Sequence, residues 1–183
     1  MQTNPKLAIR ETGKYGKGVY ATKTIEKGEW IHAMKGVRMS LDEFIEKMAS
    51  GQEREDDPLQ VGRKTYIDLD DFSRCFNHGC DPNAGLRKTC EMFAIRRIET
   101  GEEVVYDYSS TVAPTAWEMR CECGSEKCRK ILGDILSVPP NRLATYKQNG
   151  ALQRYMRALL QEVESGVYRI PAYELAAIAK LKR

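Results

Sequence analysis

Three cysteines fall within eight residues, in the stretch Cys121-Glu-Cys123-Gly-Ser-Glu-Lys-Cys128, and this cluster constrains the fold more than any other feature of the chain. Three free thiols so close together would be open to oxidation. A short loop bending at Gly124 can instead wrap three sulfurs around one ion. Zn²⁺ takes four ligands in a tetrahedron, so the fourth must come from elsewhere. Cys75, Cys80, Cys90, His32 and His78 are all open to that role. Nothing implies an open coordination position, so a structural rather than a catalytic metal is expected. Clustered cysteines favour metal over disulfides in a reducing compartment. The start Met1-Gln2-Thr3-Asn4-Pro5 lacks the basic residues and apolar stretch of a secretory signal. The expectation is an intracellular, reducing location, cytoplasm or nucleus.

A length of 183 residues fits one domain with an appendage and can bury a real core. No apolar run approaches the roughly 18 residues of a membrane helix. From Asn141 onward there are eight Lys/Arg against three Asp/Glu, a net of +5, whereas the first 140 residues carry a net of −2. A basic end of this kind could meet an acidic partner or nucleic acid. Its cations sit on helices without a groove-reading motif, so nucleic acid is not the expected partner.

The first half reads as short strands with turn signals. Lys6 to Arg10, Gly18 to Ala21, Trp30 to Met34, Lys64 to Leu69, Glu91 to Ile98 and Val104 to Tyr108 are the β candidates. Ser40-Leu41-Asp42-Glu43 is a capping box that should start a short helix running to about Ser50. The acidic stretch to Asp57, closed by Pro58, reads as a surface loop. After Pro139 the period changes. Leu152, Tyr155, Met156, Leu159, Leu160 and Val163 recur at helical spacing. Pro171 opens a final helix toward Leu181. The predicted class is mainly β with a helical C-terminal appendage (α+β).

Four segments, in order, resemble the SET-domain methyltransferases. The first is Gly16-Lys17-Gly18-Val19-Tyr20-Ala21 with the turn Ile25-Glu26-Lys27-Gly28-Glu29. The second is Arg74-Cys75-Phe76-Asn77-His78-Gly79-Cys80-Asp81-Pro82-Asn83, similar to the family's Asn-His-Ser-Cys-x-Pro-Asn block. The third is Gly101-Glu102-Glu103-Val104-Val105-Tyr106-Asp107-Tyr108, and the fourth is the cysteine loop, which looks like a post-SET zinc loop. The resemblance covers about residues 6 to 132. It implies several small, mostly antiparallel sheets around a threaded C-terminal segment, divided into a SET domain over 1–117 (insert about 35–63), a zinc loop over 118–136 and a helical extension over 137–183.

It also implies an enzyme that moves a methyl group from S-adenosylmethionine to a lysine ε-amine. The expected cofactor contacts are Gly16, Lys17, Gly18, Val19, Tyr20, Arg74, Asn77, His78, Tyr108 and Trp117. Arg74 could equally brace its own segment, and Trp117 could be a lid over the adenine or a core aromatic. Cys80 becomes the fourth zinc ligand beside Cys121, Cys123 and Cys128. Tyr108 is the expected catalytic residue. Tyr106 shares its face if the segment is a strand, and its hydroxyl should restrict the product mainly to monomethyl-lysine. A lysine arrives protonated and must lose its charge before it can attack.

Two departures stand out. Gly79 replaces the usual Ser, and Lys130 stands where Gly is common. They leave room for another reading, a catalytically weak SET-like module that binds a basic peptide. The chain reads as a nearly bare catalytic domain, so its substrate is expected to be a protein lysine, histone or non-histone. The helical extension could pack on the core, build an oligomer or hold a target.

Overall fold

The computed structural model describes residues 4–13, 16–52, 57–115 and 117–170. Four small antiparallel sheets make up its β part. Strands β1 (Leu7–Glu11) and β2 (Lys17–Ala21) form the first, in the register Ile9 opposite Val19. The second joins β3 (Trp30–Ala33), β8 (Glu91–Ala94) and β7 (Ala84–Arg87), in the order β3-β8-β7. In the third, β4 (Gly36–Ser40) and β5 (Leu59–Gly62) flank β6 (Thr65–Leu69). The fourth is the two-residue pair β9 (Met119–Arg120) and β10 (Ile131–Leu132), at the base of the cysteine loop. Helix α1 spans Leu41–Ala49, α2 Pro140–Gln148 and α3 Arg154–Glu164. Small antiparallel sheets with a helical C-terminal part are the class the sequence predicted.

The capping box forms as predicted. The Glu43 N–H donates to Ser40 Oγ at 3.2 Å, and the Ser40 N–H donates to Glu43 Oε2 at 2.7 Å. A cap of this type stabilises a helix by about 1 kcal/mol. Two predicted strands are corrected. Glu91 to Ile98 is regular only to Ala94, and Ile98 then makes an isolated bridge to Ile25. Val104 to Tyr108 is not a strand at all, despite its β-branched and aromatic residues. Its partners come from separate stretches: the Val104 N–H donates to Val19, that of Tyr106 to Asn77, and the N–H groups of Gly79 and Ala84 reach Tyr106 and Val105 in return. No single neighbour runs alongside long enough to form a ladder. Asp107 then caps a one-turn 3-10 helix, Tyr108–Thr111, by accepting from the Ser109 N–H at 3.1 Å.

The main core gathers Val19, Ile25, Ile31, Ile67, Phe76, Leu86, Met92 and Ile98. His32 is 1% exposed within it, bonded to Ser73 Oγ at 3.1 Å and set against Phe72 and Phe76. A second core joins the body to the helical extension. Phe93, Ile95 and Ala113 pack there with Tyr146 of α2, with Leu152, and with Met156, Leu159 and Leu160, the buried stripe of α3. The final helix predicted from Pro171 lies outside the described residues, as does most of the acidic loop. No described helix is long and apolar enough to cross a membrane.

Candidate active site

Two of the motif blocks are stapled together by one amide. Asn83, 1% exposed, donates from Nδ2 to the Glu103 carbonyl at 2.7 Å and to Glu102 Oε1 at 3.0 Å, and its Oδ1 accepts from the Val105 N–H at 2.9 Å. Its amide hydrogens and carbonyl are thus all used. Asn77 makes a second link, donating to the Lys17 carbonyl at 3.0 Å and to Glu103 Oε1 at 2.7 Å. The segments around Lys17, Asn77 and Glu103 therefore meet at one place. Gly18 lies at this meeting point, and a β-carbon there would displace the Glu103 carboxylate, crowd the Thr12 methyl and come within 3.1 Å of Asn77 Nδ2.

His78 follows directly, and its ring is 5% exposed. Nδ1 accepts the Tyr108 N–H at 3.2 Å, so the ring hydrogen sits on Nε2, which faces Cys80 Sγ at 3.2 Å. Burial lowers its pKa to about 4, with Arg129 and Arg142 acting in the same direction and Asp107 opposing them. The imidazole is thus neutral near pH 7. Tyr108 packs edge-on against His78, with ring centroids 5.5 Å apart, and its hydroxyl donates to the Phe76 carbonyl at 3.0 Å. Tyr106 is 5% exposed and lies 4.9 Å from Tyr108, centroid to centroid. The two rings are neighbours although no strand aligns them.

The cysteines converge as well. Cys80 Sγ lies 3.7 Å from Cys121 Sγ, and Cys128 Sγ lies 3.7 Å from Cys121 Sγ. Four sulfurs about 2.3 Å from a central zinc stand about 3.8 Å apart, so the spacing suits the ion. Ligand atoms of His78, Cys80, Cys121 and Cys123 all lie within 4.8 Å of one another. Burial raises the Cys80 and Cys121 thiols. Burial also acts on Cys123, but N–H groups of Cys80 and Ser125 outweigh it and bring that thiol down to about 7. The Arg129 N–H donates to Cys80 Sγ at 3.3 Å. Of the other candidates for a fourth ligand, Cys75 directs its thiol at the Asp71 carbonyl, His32 is committed to the core, and Cys90 packs against the main core.

A cavity of about 320 Å³ opens between the Asn77–Gly79 segment, the pair Glu102 and Glu103, and the loop Cys123–Ser125. Asn77 and His78 line it. Other predicted contacts fall elsewhere. Arg74 bonds the Leu69 carbonyl and pairs with Asp57 and Asp68, which braces its segment. Val19 is fully buried in the core. Tyr20 stacks under Arg10 at 5.6 Å. Trp117 is 8% exposed, in a cluster with Cys80, Cys121 and Leu132 against which Tyr108 also packs. Gly79 has a packing reason. A β-carbon there would stand 2.5 Å from Val105 Cγ2, so valine fills the space a serine would need.

Sequence reading passed over Asp107, Arg129 and Tyr146. Asp107 is 2% exposed and receives the Arg129 guanidinium and, at 2.9 Å, the Tyr146 hydroxyl. Asp107 lay inside a quoted motif and could have been found; Tyr146 carries no local signal.

The chain is 30% identical over 147 residues to the human "Histone-lysine N-methyltransferase 2B", 31% over 147 residues to "Histone-lysine N-methyltransferase ASHH3" of Arabidopsis thaliana, and 30% over 153 residues to "Probable histone-lysine N-methyltransferase set-23" of Caenorhabditis briggsae. These alignments take in 69%, 73% and 74% of this chain but only 5%, 40% and 63% of the respective relatives. The chain thus spans less than two thirds of each. The SET-domain family model matches residues 16–109, more than half of the 183, which include the Asn77–Gly79 and Glu102–Glu103 walls of the cavity, and the chain belongs to the SET-domain family.

Proposed function

We propose that this chain transfers a methyl group from S-adenosylmethionine to the ε-amine of a lysine in a protein substrate. The observation that carries the reading is the convergence of Asn77, His78 and Tyr108, two lining the 320 Å³ cavity and the third bonded to His78. When bound, S-adenosylmethionine supplies a methyl group activated by a sulfonium cation. The backbone of Gly16, Lys17 and Gly18, uncrowded at Gly16 where nothing lies within 4 Å of a β-carbon position, and the Asn77–His78 segment are the surfaces that would hold it.

The remaining task is to deliver a neutral, aimed amine. A free lysine has a pKa of about 10.4. The buried ring of Tyr106 and the partly buried ring of Tyr108 create an apolar wall that lowers it. The Tyr108 hydroxyl gives its hydrogen to the Phe76 carbonyl, which leaves oxygen lone pairs to accept from an amine N–H. That fixes the direction of the nitrogen lone pair. Carbonyl and hydroxyl oxygens around a transferring methyl favour the transition state. The Tyr106 hydroxyl occupies room beside this amine, and mainly monomethyl-lysine is the product it favours.

Cys80, Cys121, Cys123 and Cys128 would hold one structural Zn²⁺, with His78 Nε2–H donating to the Cys80 sulfur. The ion would fasten the loop to the cavity wall. The relatives' names point to a histone as the first substrate to try.

The test is labelled S-adenosylmethionine with core histones and with a lysate, followed by mass spectrometry of modified lysines. Tyr108→Phe should keep cofactor affinity within about threefold and lower transfer on the order of 10²-fold. Cofactor binding with no methyl on any lysine would refute the proposal and favour a basic-peptide binding module.

A further inference from the structure

The single turn Tyr108–Thr111 is too short to hold itself in place, since one 3-10 turn has little internal bonding. Its anchors come from the helical extension. At its start, Asp107 Oδ2 accepts the hydroxyl of Tyr146, on α2, at 2.9 Å. At its end, the Thr111 carbonyl accepts the hydroxyl of Tyr155, on α3. Each helix of the extension thus gives one hydroxyl to one end of the turn that carries Tyr108. The spacings in sequence are 39 and 44 residues, so neither contact is incidental to local folding.

The extension is itself held tightly. Tyr146 is 3% exposed among Phe93, Ile95 and Met156. The connection between the helices closes on β7 at Gly85, where a β-carbon would lie 2.6 Å from Ala151 Cβ. Gln153 donates to the Gln60 carbonyl at 3.1 Å and to that of Thr89 at 2.5 Å, and the Gln60 side chain accepts the Ala113 N–H at 2.8 Å, two residues beyond the turn. A shift of the helices would move both hydroxyls and the chain leaving the turn together.

We propose that Tyr146 and Tyr155 are positioning residues that fix the orientation of Tyr108, so that the helices 140–164 are a working part of the active site. Tyr146 acts through Asp107, which also receives Arg129 from the cysteine loop. Tyr155 acts on the turn directly. The effect on turnover rests on the methyl transfer proposed above; the geometry of the clamp does not.

Tyr146→Phe, Tyr155→Phe and the double variant keep both rings seated and remove only the hydroxyls. Two readouts apply, amide hydrogen exchange of residues 108–111 and steady-state transfer from S-adenosylmethionine to core histones, both well below each unfolding midpoint. The double variant should exchange at least about tenfold faster there. Its kcat should fall at least about tenfold while KM for the cofactor stays within about twofold. Ile45→Ala, on the buried face of α1, is the control, since it weakens the fold without touching the extension or either hydroxyl. Its kcat should stay within about twofold of the wild type. Wild-type exchange and kcat in the double variant would overturn the proposal, as would an equal loss of kcat in Ile45→Ala. A wild-type protein that transfers no methyl would remove the function, and the exchange rates would still decide the clamp.

Discussion

Replacing Gly79 with serine should weaken the fold by a calculable amount, although serine is what the family usually places there. The incoming β-carbon would stand 2.5 Å from Val105 Cγ2 and 3.0 Å from Val105 Cβ. Ordinary carbon contacts lie at about 3.5–4.0 Å, so the overlap is about 1 Å. Valine is stiff at χ1 and cannot swing away cheaply. Relief must come from the backbone, and Gly79 is bonded there through its N–H to the Tyr106 carbonyl at 3.0 Å. Overpacking of this kind costs about 1–3 kcal/mol, which for a chain of this size is roughly 2–12 °C in Tm. The displaced segment also carries His78 and Tyr106, so cofactor affinity should fall with stability. Val105→Ala removes both γ-methyl groups and should restore most of the loss in the double variant, a coupling of at least about 1 kcal/mol across the cycle. The assay is urea unfolding of the four proteins, with calorimetric titration of S-adenosylmethionine. A Gly79→Ser protein as stable as the wild type, or additive effects in the double variant, would refute the reasoning and return the glycine to an unexplained departure.

Tyr106→Phe should raise the share of di- and trimethyl-lysine among the products, read by mass spectrometry; an unchanged distribution removes Tyr106 from product control. Metal analysis should find one zinc per chain, lost in Cys128→Ser. Chelation should lower Tm by roughly 8–16 °C, corresponding to about 4 kcal/mol for a ligand present at a thousand times its Kd. His32 sets part of the acid limb of stability. Its pKa is lowered from 6.5 to about 4, by burial first and then by Lys35, so the unfolded chain binds a proton that the folded chain refuses. That stability is present above pH 6.5 and drains away as pH falls toward 4, by about 3 kcal/mol in all. His32→Gln should therefore lower the slope of unfolding free energy against pH between those values.

What could be read from the sequence and what could not divides along contact distance. The α1 capping box involves residues three apart, so its letters were sufficient. The α3 stripe was equally local, and Met156, Leu159 and Leu160 are buried as their spacing required. Three of the cysteines stood out as a cluster in the sequence; that Cys80 meets Cys121 was reached only through the family block, because nothing in the spacing ties the two across 41 residues. Val104 to Tyr108 misled for a related reason. Its composition suits a strand, but a strand needs one continuous neighbour, and this segment is shared among β2, Asn77–Gly79 and Asn83–Ala84. That same sharing gives the segment its use. A stretch bonded on several sides has its side chains fixed from several sides, and it delivers Tyr106 and Tyr108 to His78 with little freedom. The least legible contribution is that of the extension. The hydroxyls of Tyr146 and Tyr155 look like any half-polar helix positions until the fold brings Asp107 and Thr111 beneath them. The chemical groups of this site were spelled out in short motifs, whereas the order that makes them usable is imposed by residues with no motif at all.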